Sequence, residues 1–144
     1  PPLGQRGVGL ARAQKYGAGF QDYLKRFDQE KVLVTQIENA DAVKNIDSIL
    51  SHPEVDAFIL GPYDLSASLG HSGDFKHPKV LEALEAVKKS AKKHGKIGGI
   101  HVIEPIPTEL KSRLQEGFGF IAYSLDIRML DHCARAGISA HTET

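Results

Sequence analysis

Two carboxylates offer the chemistry in this sequence. Glu38 closes the run Lys31-Val32-Leu33-Val34-Thr35-Gln36-Ile37, and Asp64 follows Val55-Asp56-Ala57-Phe58-Ile59-Leu60 across Gly61-Pro62-Tyr63. A short apolar run that stops at Gly-Pro reads as a strand buried in a parallel sheet. Ligands gather at the carboxyl ends of such strands, so Glu38 and Asp64, on successive βα units, make half of a divalent-metal site. Hard oxygen donors suit Mg²⁺ or Mn²⁺, with Co²⁺ as a further option, and few protein ligands leave positions for water and substrate. Plainer readings stand beside this one. Glu38 can be a solvent-facing carboxylate near a helix N-terminus, and Asp64 can be the N-cap of a turn over Leu65–Leu69.

Other reactive side chains are less pointed. His101 follows Gly98-Gly99-Ile100 near a strand end, where it either faces the mouth of a site or serves as a core or rim histidine. Asp126 ends the last strand and most simply caps the next helix. His71 and His77 lie in a polar loop, solvated or capping. Cys133, among Leu130, Ala134 and Ala136, reads as a small buried apolar residue. No lysine ends a strand, so nothing offers Schiff-base chemistry.

The elements that would position the carboxylates alternate strand with helix. Pro1 to Gly19 reads as loop with one helical turn, and Phe20 to Phe27 as a short helix. Strand 32–37 leads to Asn39, an N-cap for a helix carrying Ala42, Val43, Ile46, Ile49 and Leu50. His52-Pro53 ends that helix, because proline disfavours helical geometry in the residue before it. Strand 57–60 and the polar loop 70–77 follow. Pro78 then opens a helix with the stripe Val80, Leu84, Val87 and Ala91. Gly95 caps that helix, whose Lys88, Lys89, Lys92 and Lys93 complement the dipole at its C-terminal half. Strand 97–103, a helix over 108–116 closed by Gly117, strand 120–125 and a helix from Asp126 complete the chain. This predicts a parallel α/β sheet with right-handed crossovers. Val34, Ile59, Ile100 and Ile121 should lie on adjacent strands, with helices on one side.

The length of 144 residues suits one domain over 1–144, with 18 basic against 18 acidic side chains. That balance gives no electrostatic footprint for nucleic acid, and no apolar stretch reaches membrane-span length. A lone cysteine excludes an internal disulfide and fits a reducing cytoplasm. No dinucleotide-binding glycine fingerprint follows any strand. Four βα units are about half of a (β/α)₈ barrel, which typically needs about 250 residues. The opening on Pro1 rather than Met reads as a processed or excised piece.

At Gln36-Ile37-Glu38 and Gly61-Pro62-Tyr63-Asp64-Leu65-Ser66 the sequence resembles the HpcH/HpaI aldolases, metal-dependent pyruvate aldolases of the phosphoenolpyruvate/pyruvate barrel superfamily. The loop 1–9, His77-Pro78 with Val80, Gly99-Ile100 and Leu125-Asp126 fall in the same order. The resemblance implies strands five to eight of a TIM barrel, incomplete at its N-terminus. It also implies Glu38 and Asp64 as Mg²⁺ or Mn²⁺ ligands, and a pyruvate-binding loop of Gly61, Pro62, Tyr63 and Asp64 that works through backbone N–H groups. The activity implied is lyase chemistry: 4-hydroxy-2-oxo acids of the 2-keto-3-deoxy sugar acid type cleave to pyruvate and an aldehyde, in a cytoplasmic homo-oligomer. The family's arginine and proton-transfer histidine and aspartate fall in the other half. Arg6, His71 and His101 do not match them, so the isolated chain should be inactive. The rivals are a non-catalytic truncated or assembly module, whose open strand edges invite pairing, and a citrate-lyase-like CoA thioester lyase.

Overall fold

The computed structural model describes residues 4–5 and 7–142, so Pro1 to Leu3 and Arg6 of the opening loop lie outside the described residues. The chain divides into two compact units, Pro1–Val32 and Leu33–Thr144. The first holds a 3₁₀ segment, Arg12–Gly17, and α1 (Phe20–Glu30). Helix α1 runs one turn further than its apolar residues suggest, and an Arg26–Glu30 ion pair of 3.0 Å spans that added turn.

The second unit is a four-stranded parallel sheet in the order β1-β2-β3-β4, with β1 at Val34–Ile37, β2 at Ala57–Leu60, β3 at Ile97–Val102 and β4 at Phe120–Tyr123. Its helices are α2 (Ala40–Lys44), α3 (Ile46–Ser51), α4 (Pro62–Ser68), α5 (Pro78–His94), α6 (Pro107–Gln115) and α7 (Asp126–Thr142). The expected strand order is the observed one. The register pairs Ile37 with Leu60, Leu60 with Ile100 and Ile100 with Ile121.

Because strand side chains alternate faces, that row and its neighbours two residues away share one side. Ile37, Phe58, Leu60 and Ile100 pack there with Ile46 and Leu50 of α3 and with Val87 and Ala91 of α5. Adjacent glycines serve the two faces in opposite ways. A Cβ on Gly98 would stand 2.8 Å from the ring of Phe58, on the helix-covered side. One on Gly99 would stand 2.1 Å from the ring of Phe120, on the other side. Each absent side chain makes room for an aromatic ring from the neighbouring strand.

Boundaries shift where polar groups intervene. Strand β1 starts at Val34, because Leu33 donates its N–H to the Asp56 carboxylate (2.7 Å) and accepts the Asp56 N–H (3.0 Å). The single helix expected after Asn39 is two, broken at Asn45, whose side chain turns back to the Asp41 carbonyl (2.8 Å). Asn39 does cap α2, accepting from the Ala42 N–H at 2.7 Å, and Gly95 closes α5 at φ 64°. Cys133 corrects the sequence reading, for it is exposed. Ile127, Leu130 and Ile138 of α7 are exposed as well. Helical spacing marks an apolar face, but burying that face depends on what packs against it.

Candidate active site

Glu38 stands one residue beyond β1 and is half-buried. Its carboxylate Oε2 accepts from Gln36 Nε2 at 2.6 Å, two residues back on the same face of the strand. That amide steers the carboxylate over the end of β2. A Cβ built on Gly61 would lie 2.9 Å from Glu38 Cβ and 3.2 Å from Oε2, so only glycine leaves this space open. The Gly61 N–H donates to the Ile37 carbonyl (3.1 Å), carrying the β1–β2 ladder one step past the strands.

Asp64 follows three residues later, exposed, in the first turn of α4. Helix α4 begins at Pro62, earlier than the expected Leu65, with Gly61 as its N-cap and no side-chain cap. Asp64 therefore does not cap the helix as the plainer reading had it, and its charge complements the dipole there. Among the described residues no group of three or more His, Cys, Asp and Glu side chains is placed to hold a metal ion.

The Gly61–Asp64 turn is braced from behind. Ser66, fully buried, donates to the Tyr63 carbonyl (2.8 Å) and accepts the Gly73 N–H (2.9 Å). The Tyr63 ring is half-exposed and meets Phe75 edge-on at 4.8 Å. Sequence reasoning missed Gln36 and Ser66 as positioning residues. Both lie inside the quoted motifs, yet their partners are visible only in three dimensions.

The loop that carries Gly73 also holds a histidine stack. The His71 and His77 rings lie 3.3 Å apart and nearly parallel, and His77 Nδ1 caps α5 by accepting the Lys79 N–H at 3.3 Å. Desolvation holds the His71 pKa below its ordinary 6.5, helped by His77 and Lys79 and opposed by Asp74. A histidine with a lowered native pKa binds fewer protons folded than unfolded. Its contribution to stability is therefore complete above pH 6.5 and lost as pH falls from there towards the lowered value. Melting temperatures of the wild type should accordingly fall between about pH 7 and pH 5 more steeply than those of His71→Phe, which removes the titrating group. Parallel curves would contradict this.

His101, half-buried, lies on the same face of the sheet as Glu38 and Gly61. Its Nε2 is 3.2 Å from the Ser124 carbonyl. Ser124 follows β4 in left-handed geometry (φ 59°) with its N–H on the Val102 carbonyl at 2.7 Å. Left-handed backbone at a residue other than glycine costs about 1 kcal/mol or more. The Ser124 Oγ is buried without a partner. A cleft of about 360 Å³ lies between the sheet and helices α5 and α6; His101, Pro62 and Tyr63 line it together with Leu60, Leu84 and Ile100, whereas neither Glu38 nor Asp64 does. No helix among the described residues is long and apolar enough to cross a membrane.

Comparison with known proteins matches residues 6–133 to the HpcH/HpaI aldolase/citrate lyase family. A hydroxypyruvate/pyruvate aldolase of Chromohalobacter salexigens is 37% identical over 143 residues, covering 98% of this chain and 55% of its own. A 5-keto-4-deoxy-D-glucarate aldolase of Klebsiella pneumoniae is 35% identical over 127 residues, covering 88% and 49%. An HpcH/HpaI aldolase/citrate lyase family protein of Burkholderia cenocepacia superposes with a TM-score of 0.82 at 32% identity, covering 98% of this chain and 54% of the other. The chain thus spans about half the length of the curated relatives it matches. It belongs to the HpcH/HpaI aldolase/citrate lyase family.

Proposed function

We propose that this chain is the metal-binding half, strands five to eight, of a (β/α)₈-barrel aldolase that cleaves 4-hydroxy-2-oxo acids to pyruvate and an aldehyde. The observation that carries the reading is the Glu38 carboxylate, aimed by Gln36 across the space that Gly61 leaves open. The two relatives above, both named aldolases, support it.

The donor set fits a hard divalent ion. Glu38 and Asp64 supply oxygen ligands only, and Mg²⁺ or Mn²⁺ commonly takes one or two carboxylates while keeping waters and substrate oxygens. Gln36 is the partner behind the ligand, fixing the Glu38 rotamer as such supports do. When bound, the ion acts as a Lewis acid towards the enolate charge of pyruvate. The chain's own residues hold the substrate. The first N–H groups of a helix have no intrahelical acceptor, so those of Tyr63 and Asp64 at the start of α4 can receive the pyruvate carboxylate. Ser66 holds that turn through the Tyr63 carbonyl. Calorimetric titration of the chain with pyruvate should show binding with Mg²⁺ or Mn²⁺ present and none in excess chelator. Equal heats in both conditions would overturn the reading.

A further inference from the structure

We propose that His101 is a substrate-contact residue that accepts a hydrogen bond from a hydroxyl in the tail of a polyhydroxylated 2-oxo acid. The proposal rests on the reading of Glu38 and Asp64 given above and assigns the part of the substrate that those carboxylates do not reach.

Three observations carry it. The first is placement. The strand register pairs Ile37 with Leu60 and Leu60 with Ile100, so the next residues along, Glu38, Gly61 and His101, continue in one row on one face. Adjacent strands lie about 4.8 Å apart, which sets Glu38 and His101 about 9.6 Å from each other with only a glycine between them. That gap is the size of a small sugar acid.

The second is the tautomer. A carbonyl oxygen only accepts, so the contact with Ser124 makes Nε2 the protonated nitrogen. In the neutral ring Nδ1 then carries the lone pair, and among the described residues no group donates to it. A hydroxyl is the complementary ligand.

The third is direction. Ser124 follows β4, so this hydrogen bond draws the imidazole away from Glu38. The contact therefore falls on the tail of the substrate and not on the 2-oxo acid head. Ser124 is held in left-handed geometry with its N–H on Val102, which sets the direction of the carbonyl that His101 meets.

The test is binding to the 144-residue chain with Mg²⁺. The probes are 2-keto-3-deoxygluconate, 4-hydroxy-2-oxohexanoate, which lacks the tail hydroxyls, and pyruvate. The wild type should prefer the first over the second by about 3- to 10-fold, the worth of one neutral hydrogen bond. His101→Leu should abolish that preference while leaving pyruvate affinity unchanged, and His101→Gln, which keeps an acceptor, should restore part of it. Nitrogen NMR of histidine-labelled chain should show the Nε2–H tautomer at His101 and a change at Nδ1 only with the hydroxylated tail. A preference that survives His101→Leu, or an Nδ1–H tautomer, would overturn this proposal alone. Loss of all metal-dependent pyruvate binding in the wild type would instead overturn the reading beneath it, and this proposal with it.

Discussion

Glu38→Ala and Asp64→Ala should each weaken metal-dependent pyruvate binding by at least about 100-fold, because even supports behind a metal ligand cost about 10- to 100-fold when removed. Each change takes away one of the two carboxylates proposed as oxygen ligands of the ion. Tyr63→Phe should leave binding within about 2-fold, since a phenol oxygen has no part in a contact made by the backbone N–H. Neither carboxylate belongs to the buried core, and Asp64 is exposed, so the melting temperature should hardly move. Titration calorimetry with and without Mg²⁺ separates the outcomes. Undiminished binding after either carboxylate is removed would refute the site assignment. Loss of binding in Tyr63→Phe would shift the contact from the backbone to the side chain of the same turn.

The second large effect concerns turnover. The 144-residue chain is expected to release pyruvate from a 4-hydroxy-2-oxo acid at least about 10²-fold more slowly than a full-length aldolase of the family, even with Mg²⁺ or Mn²⁺ supplied. Removing the substrate's hydroxyl proton requires a positioned base, which typically contributes about 10²–10⁴-fold. The resemblance assigns that base to the other half of the barrel. Of the groups near the strand ends here, Glu38 is committed to Gln36 and to the proposed ion, and His101 is drawn towards β4. A coupled assay for pyruvate measures the rate directly. Turnover close to that of a complete aldolase would mean that a residue of this half takes the proton, and His101→Leu would then show whether it is Nδ1.

The strands, the Asn39 and Gly95 caps and the position of Glu38 just past β1 were legible in the sequence because each depends on neighbours within a few positions. Alternation and apolar runs locate β2, and Pro53 and Pro78 punctuate α3 and α5 by local sterics. Boundaries slipped where a distant group competed. Leu33 left β1 because Asp56, twenty-three residues on, captured its N–H. Cys133 was misjudged because spacing reports a face and says nothing of its partner.

By itself, then, the sequence determined the order and parallel sense of the strands and which residues stand at their carboxyl ends. Both follow from local periodicity and from the handedness of crossovers. Only the tertiary structure decided what those end residues face. The Gln36 amide, the opening at Gly61, the Ser66 brace and the Ser124 carbonyl on His101 each join a side chain to a partner whose position depends on register and face. Such contacts are set by the three-dimensional packing of whole strands, and a one-residue slip would turn every one of these side chains to the other side of the sheet.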